Sequence, residues 1–492
     1  MMDMLIPLMV IIPILCALIV NTLHGHDKVM RIVSIIVAIS LPVIAIFASV
    51  GTQYFGGHNA SLISSALPAT LASVSSLSPG IIYVFSNLNR IFIFLVGIVA
   101  FLSLFTYFSE KRKVSGPYLY LIFMGVASVT ALLLSNDIFN MYVFFEIVAL
   151  TQVGIIVASS TDEKYETALK YLILGSIGGP MLLLGIGFVL GVVGSVNISD
   201  IVFAISHNVV DPLSPGLVMA FALILFGWLY ASGLPPFHTI KSAVYSKARP
   251  NGAAILQGFS VLCMLAFGIA MYKIFAYIPY FNTAIIVFAI LAMALSIAMS
   301  AMEVDFRRMI AFLAVGELGF IALGFGIGTQ YSIAAALFQA ANEIVITALL
   351  FIGFGTVYYL TKTSDTRKLG GLIAVDSKMA IMVLLGGFAL AGVPPFNGFQ
   401  SKLMLVQAAL DAGYTELAVL AIIVSVVIFF TFVKAFHTVY LQPKPNDLKF
   451  AHDKIPKATV FSVAVLLIIC LALGIFPNIV TDVFIPFAGG LI

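Results

Sequence analysis

Charged side chains are scarce in this sequence. The 492 residues include 24 Lys+Arg and 21 Asp+Glu, 9% of the chain. Soluble domains carry about a quarter, so a water-soluble globule of this length is excluded. Cysteine is equally sparse: Cys16, Cys263 and Cys470 lie far apart, each in an apolar run, which argues against a disulfide framework, a zinc site or an iron–sulfur cluster. Walker-loop, HExxH and GxSxG patterns are absent, and no metal-ligand or nucleophile–base spacing supports hydrolytic catalysis. A net charge of +3 is too small and too scattered for nucleic acid. What the chain has in excess is hydrocarbon, 62% hydrophobic residues at a mean hydropathy of +1.15. At about 20 apolar residues per spanning helix, that predicts an all-α, polytopic membrane protein.

Polar or basic punctuation divides the apolar runs into fourteen predicted spans: 4–22, 30–49, 89–108, 117–135, 137–158, 166–194, 216–233, 251–276, 283–302, 307–326, 331–360, 378–411, 416–440 and 457–476. The first lacks a basic n-region and a small-residue cleavage site, so it reads as a retained helix. Lys and Arg placement tests the count independently, because short cytoplasmic loops are enriched in both. With fourteen spans, one set of alternate loops collects Lys28, Arg31, Lys111, Arg112, Lys113, Lys164, Lys241, Lys247, Arg249, Arg307, Arg308, Lys362, Arg367, Lys368, Lys378, Lys444, Lys449, Lys454 and Lys457. Those are nineteen of 24 basic residues. Removing any internal span scrambles this segregation. The expectation is a cytoplasmic-membrane protein with both termini outside, and with residues 50–88 as one long external connection. No charge run or low-complexity linker divides the chain, so 1–492 reads as one membrane domain. Its parts are three N-terminal helices (4–108), two internal units (117–276 and 283–440) and a C-terminal helix (457–476).

Two hexapeptides resemble each other at an offset of 159 residues: Ser232-Gly-Leu-Pro-Pro-Phe237 and Ala391-Gly-Val-Pro-Pro-Phe396. Pro235, Pro236, Pro394 and Pro395 interrupt apolar helices by removing backbone donors and disfavouring helix before them. Such breaks are tolerated in a membrane only within protein or beside a polar cavity. They fall five spans apart, an odd offset that makes the two copies antiparallel. The pattern predicts inverted repeats with paired broken helices, the seventh and twelfth spans, as in secondary transporters, with two ordinary proline kinks as the alternative.

A charge in mid-membrane costs roughly 2.5–3.5 kcal/mol on insertion scales, yet several are kept. Glu146 lies in the fifth span, Lys170 at the start of the sixth, Glu317 in the tenth and Glu343 in the eleventh. Lys402 follows the second break, His238 and Lys241 follow the first, and Lys434 and His437 lie near the inner end of the thirteenth. Carboxylates, amines and imidazoles in a low-dielectric interior exchange protons as neighbouring charges change, so these residues form the predicted ion pathway. Snorkelling is the structural alternative for Lys170, Lys434 and His437. Asp137 reads as a helix cap, and Glu303, Asp305, Arg307 and Arg308 read as a mutually paired inner loop.

Five segments then carry a family resemblance: Asn136-Asp-Ile-Phe-Asn-Met-Tyr-Val-Phe-Phe-Glu146, Ala168-Leu-Lys-Tyr-Leu-Ile-Leu-Gly175, Pro236-Phe-His238, Asp305-Phe-Arg-Arg-Met-Ile-Ala-Phe312 and Gly392-Val-Pro-Pro-Phe-Asn-Gly-Phe-Gln-Ser-Lys402. Over nearly its whole length the chain resembles the antiporter-like subunits of respiratory complex I, of Mrp-type cation/proton antiporters (D-subunit-like) and of energy-converting membrane-bound hydrogenases. The resemblance implies fourteen helices, two inverted five-helix repeats with broken helices seven and twelve, and a central hydrophilic axis, with Glu146 as the acidic residue of the fifth helix and Lys402 as the ionisable residue of the twelfth. It implies transport of H+, with Na+ exchange as a further possibility, among other membrane subunits. Redox cofactors are then expected in those partners and none in this chain.

The chain also departs from the pattern. Relatives place a lysine where this chain has Ala231, and another in the eighth span where it has Val261-Leu-Cys-Met264. The eleventh-span His and Lys positions read Glu343 and Thr347. Glu146 therefore lacks its usual partner, with Lys170 or Lys241 as substitutes. The leading reading is an ion-translocating subunit of a redox-driven, hydrogenase-type or sulfur-reductase-like complex. A non-pumping structural paralogue and an Mrp antiporter subunit are alternatives, and a membrane enzyme or quinone-binding subunit is a third class.

Overall fold

The computed structural model describes residues 5–23, 25–55, 81–110, 113–158, 164–452 and 454–492. Eighteen α-helices follow in order: α1 (Leu5–Thr22), α2 (Asp27–Phe47), α3 (Asn87–Ser109), α4 (Gly116–Leu134), α5 (Ile138–Val157), α6 (Lys164–Val193), α7 (Ile198–Ser206), α8 (Pro215–Ser232), α9 (His238–Lys247), α10 (Pro250–Phe275), α11 (Phe281–Met302), α12 (Phe306–Ile327), α13 (Gln330–Thr361), α14 (Ser377–Ala391), α15 (Asn397–Asp411), α16 (Thr415–Phe436), α17 (Lys457–Ile475) and α18 (Asn478–Gly489). Thirteen are long and apolar enough to cross a bilayer. The predicted span 378–411 is occupied by two shorter helices, α14 and α15. Between α2 and α3, β1 (Gly51–Phe55) and β2 (Ile81–Phe85) form an antiparallel hairpin with Gly51 opposite Phe85. The rest of the expected external connection, like Lys111 and Arg112, lies outside the described residues.

Helix starts follow local chemistry. Ser86 and Thr329 form capping boxes with Asn89 and Ser332, which satisfy two orphan N–H groups at once. Asp137 caps α5 by accepting from Asn140 N at 2.7 Å, as its position predicts. Asp305 caps α12 by accepting from Arg307 N at 2.8 Å, while Glu303 pairs with Arg308 at 3.2 Å.

Both breaks end their first half-helix in the same way. Gly233 (φ 80°) and Gly392 (φ 78°) take left-handed conformations, which a residue with a Cβ resists. The next N–H reaches back five residues, Leu234 to Leu229 O and Val393 to Phe388 O, each at 2.9 Å. This Schellman closure satisfies carbonyls that the break would orphan. Beyond the first break the chain resumes as α9, which the predicted span 216–233 did not include. With His238, Thr239, Lys241, Ser242 and Lys247, α9 is too polar to register as a membrane segment.

A second junction also recurs. Asp137 bridges Asn197, with Ile138 N on Val196 O and Ile198 N on Asn136 O, each at 2.9 Å. Asp305 bridges Asp365 identically, with Phe306 N on Ser364 O at 3.1 Å and Thr366 N on Val304 O at 2.9 Å. In each case an aspartate-capped helix start is tied to the chain leaving the following long helix or helices.

Contacts between loops fall into two sets. On the basic face, Arg31 donates to Phe108 O at 2.8 Å, Arg307 to Ala248 O and Ala451 N to Leu360 O at 2.6 Å. On the opposite face, Arg90 donates to Ala48 O at 2.9 Å, Asn136 N to Ile82 O at 2.9 Å and Gln330 to Ile485 O at 3.0 Å.

The helices sort by depth. The apolar windows of α12, α10 and α13 are 100%, 94% and 89% buried, whereas those of α2 and α11 are 33% buried. Close approach needs small residues, as in other membrane bundles. A Cβ at Gly387 on α14 would overlap the Phe432 ring on α16. Gly387→Ala is therefore expected to destabilise the fold by about 1–3 kcal/mol through overpacking, read as a lowered Tm of the purified protein. An unchanged Tm would argue against this α14–α16 contact.

Candidate functional site: a buried polar line through the bundle

Near the middle of α12, Glu317 is 1% exposed. Its Oε1 receives Lys402 Nζ at 2.7 Å and its Oε2 receives Gln339 Nε2 from α13, also at 2.7 Å. Lys402 donates as well to Leu390 O at 2.7 Å. Leu390 is the penultimate residue of α14, where the break leaves carbonyls without a following turn. The ammonium thus meets the negative end of a helix dipole as well as a carboxylate, and it lies 4.7 Å from the centre of the Phe320 ring. Amides tie the break to α13: Asn342 donates to Asn397 O at 3.0 Å and to Ser401 Oγ at 2.9 Å. Asn397 returns a bond to Asn342 Oδ1 at 2.8 Å, and Ser401 donates to Gln339 Oε1 at 2.6 Å.

One turn along α13 from Gln339, Glu343 is fully buried. Its Oε1 accepts from Gln257 Nε2 of α10 at 2.9 Å, its Oε2 has no hydrogen-bond partner among the described residues, and its main-chain carbonyl accepts from the Thr347 hydroxyl. Glu343 lies within electrostatic reach of Glu317 and Lys402.

Across α10, Lys241 is 1% exposed and is surrounded by neutral oxygens. Its Nζ donates to Gln152 Oε1 (3.1 Å), Tyr171 OH (3.3 Å) and Ser260 Oγ (3.0 Å). Tyr171 donates to Gln152 at 2.9 Å, and Tyr245 donates to Ser260 at 2.6 Å. The stem of Lys241 packs on Gly233, as that of Lys402 packs on Gly392. A left-handed glycine at each break thus seats the buried lysine that follows it.

Not every predicted pathway residue joins this line. Glu146 is half-buried against Gly179 and, among the described residues, makes no hydrogen bond or ion pair. The hydrogen-bond partners of Lys241 lie elsewhere, so neither Lys241 nor Lys170 takes the place of the missing lysine at the buried Ala231. Lys170 stays on the surface of α6 with Glu166 at 2.5 Å, both about two-thirds exposed. Lys434 and His437 are exposed where α16 runs into a π-helical turn, His437–Leu441. His238 is buried at the start of α9. Pro235 and Pro236, like Pro394 and Pro395, join their half-helices through cis bonds.

The sequence reading passed over the neutral members: Gln152, Tyr171, Tyr245, Gln257, Ser260, Gln339, Asn342, Asn397 and Ser401. A signal was there to use. Gln257 and Ser260, like Gln339, Asn342 and Glu343, recur at helical spacing within apolar runs, and an amide in hydrocarbon needs a partner almost as much as a charge does. Val261–Met264 is buried and apolar as expected, but α10 carries its polar groups one turn earlier. Among the described residues, no group of three or more His, Cys, Asp and Glu is placed to hold a metal ion.

Residues 135–431 match the family described as NADH:quinone oxidoreductase/Mrp antiporter, TM. The chain belongs to this family. An uncharacterised protein of Methanocaldococcus jannaschii is 34% identical over 482 residues, 97% of this chain and 96% of that one. Among solved structures, a chain of the Mrp complex from Dietzia sp. superposes with a TM-score of 0.85 at 20% identity, covering 100% of this chain and 97% of that one. A chain of the membrane-bound sulfane sulfur reductase, an archaeal respiratory membrane complex, gives 0.84 at 22% identity, covering 99% and 97%. This is the antiporter-like fold expected from the motifs, in a multi-pass membrane protein.

For this family member the Lys402–Glu317 pair makes a sharp prediction. Lys402→Met strands a buried carboxylate and is expected to cost about 3–5 kcal/mol, as breaking one side of a buried pair does. Combining it with Glu317→Gln is expected to recover much of the loss. Thermal unfolding of the two variants checks this, and losses that simply add would argue against the pair.

Proposed function

We propose that this chain moves protons across the membrane as the antiporter-like subunit of a multisubunit complex. The observation that carries this reading is the cluster Glu343, Glu317 and Lys402, buried at the centre of an apolar bundle and seated against a broken helix. Buried charges in membrane helices are expensive and mark ion pathways. A lysine–carboxylate pair at 2.7 Å exchanges its proton as a unit: one transfer turns the ion pair into a neutral pair. A second carboxylate within electrostatic reach, Glu343, then responds to that change. Proton movement along Glu343, Glu317 and Lys402 follows, with the break at Pro394 as the point where hydration changes.

The duplicated aspartate junctions and the duplicated Schellman closures support the inverted-repeat reading, with units 117–276 and 283–440. The clustering of basic loops on one face supports a cytoplasmic membrane orientation with both termini outside. For the host, we favour a redox-driven assembly of the hydrogenase or sulfur-reductase kind, with its redox cofactors in partner subunits. Exchange against Na+ in an Mrp-type antiporter is the alternative host function. A second reading, a non-pumping structural paralogue, draws on the unpartnered Glu146 and applies to the first half of the chain.

Reconstitution of the purified complex in vesicles holding a pH-sensitive dye tests the proposal. Glu343→Gln and Lys402→Ala are each expected to lower proton transport by about tenfold or more, the scale on which a positioned proton donor or acceptor contributes. Unchanged transport in both variants would sink it. Co-purification of the neighbouring subunits identifies the host.

A further inference from the structure

The two buried lysines have opposite surroundings. Lys402 donates to a carboxylate, Glu317 Oε1, at 2.7 Å. Lys241 touches an amide oxygen and two hydroxyls, and none of these three partners is a carboxylate or an imidazole. Between the two clusters stands α10. Its Ser260 belongs to the Lys241 cluster and its Gln257, one turn earlier, belongs to the Glu343 cluster.

A glutamine has no titrating proton. To pass one, Oε1 would have to bind a proton while Nε2 released another to Glu343 Oε1. That leaves the imidic acid, which must then return its proton from oxygen to nitrogen before the next transfer. The carbonyl oxygen of an amide is a far weaker base than a carboxylate or an amine, so each such cycle is uphill. The geometry adds a second obstacle. Gln257 Nε2 is aimed at Glu343, and Gln257 Oε1, fully buried, receives no donor from Ser260 or from any other group among the described residues.

We propose that Gln257 insulates the two clusters from each other: it fixes Glu343 through its amide N–H but passes no proton, so only the Glu343–Glu317–Lys402 half conducts. This rests on the proton-transport reading above and deepens it by assigning conduction to one half. Lys241 then serves as a fixed positive end for α5, α6, α9 and α10, tying four helices by one ammonium, and communicates with the second half by its field alone.

The experiment uses the reconstituted complex and reads passive proton leak under an imposed K+ diffusion potential, alongside driven transport. Gln257→Glu places a titrating carboxylate in the gap and is expected to raise the leak severalfold. Gln257→His serves the same purpose if the first variant fails to assemble. Adding Ser260→Ala to Gln257→Glu is expected to remove the extra leak, because it cuts the other side of the new connection. No added leak from either assembled Gln257 variant overturns the proposal, as does an added leak in Gln257→Glu that persists when Ser260→Ala is combined with it. Either result leaves the transport reading intact if Glu343→Gln and Lys402→Ala still abolish transport. If those two variants transport normally, the reading itself has failed and the insulation with it.

Discussion

The ammonium of Lys402 answers three needs at once. The break after α14 frees carbonyls in a medium with no water to bond them, Glu317 requires a counter-charge at the centre of α12, and Lys402 needs both oxygens to tolerate burial. No one of the three is stable there without the others. The broken helix is therefore more than a kink beside a polar site: it supplies one wall of that site. The amide lattice of Gln339, Asn342, Asn397 and Ser401 completes the arrangement and holds the break against α13.

The first half repeats the device with different chemistry. Gly233 ends α8 as Gly392 ends α14, and a lysine stem lies on each glycine. Yet Lys241 finds no carboxylate and is satisfied by Gln152, Tyr171 and Ser260. Glu146, on the same helix as Gln152, faces Gly179 instead. One scaffold thus holds an ion pair in one half and a neutral-oxygen cage in the other. The central helix α10 separates them with a glutamine and a serine on one face.

Much of the fold was legible in the sequence because the bilayer imposes simple demands. Apolar length counts crossings, basic residues sort the loops, and paired prolines mark the breaks. The hydrogen bonds between loops follow the alternation that Lys and Arg placement predicts. Apolar length does not mark α9, because six of its ten residues are histidine, threonine, serine or lysine. Lys170, Lys434 and His437 stand near helix ends, where sequence position is compatible with either an interior or a surface face. The neutral amides carry no charge, so their cost in hydrocarbon shows in the sequence only as helical spacing.

The sequence by itself determined the solvent of this protein, the places where its helices break and the short list of charges that must be accommodated inside. Only the tertiary structure decided which of those charges meet. Helical spacing assigns a side chain to a face of its own helix, but its partner stands on another helix, at a depth and rotation set by packing. Hence Lys402 finds Glu317 85 positions away, Gln257 finds Glu343, and Lys241 and Glu146, both expected on one path, are not bonded to each other.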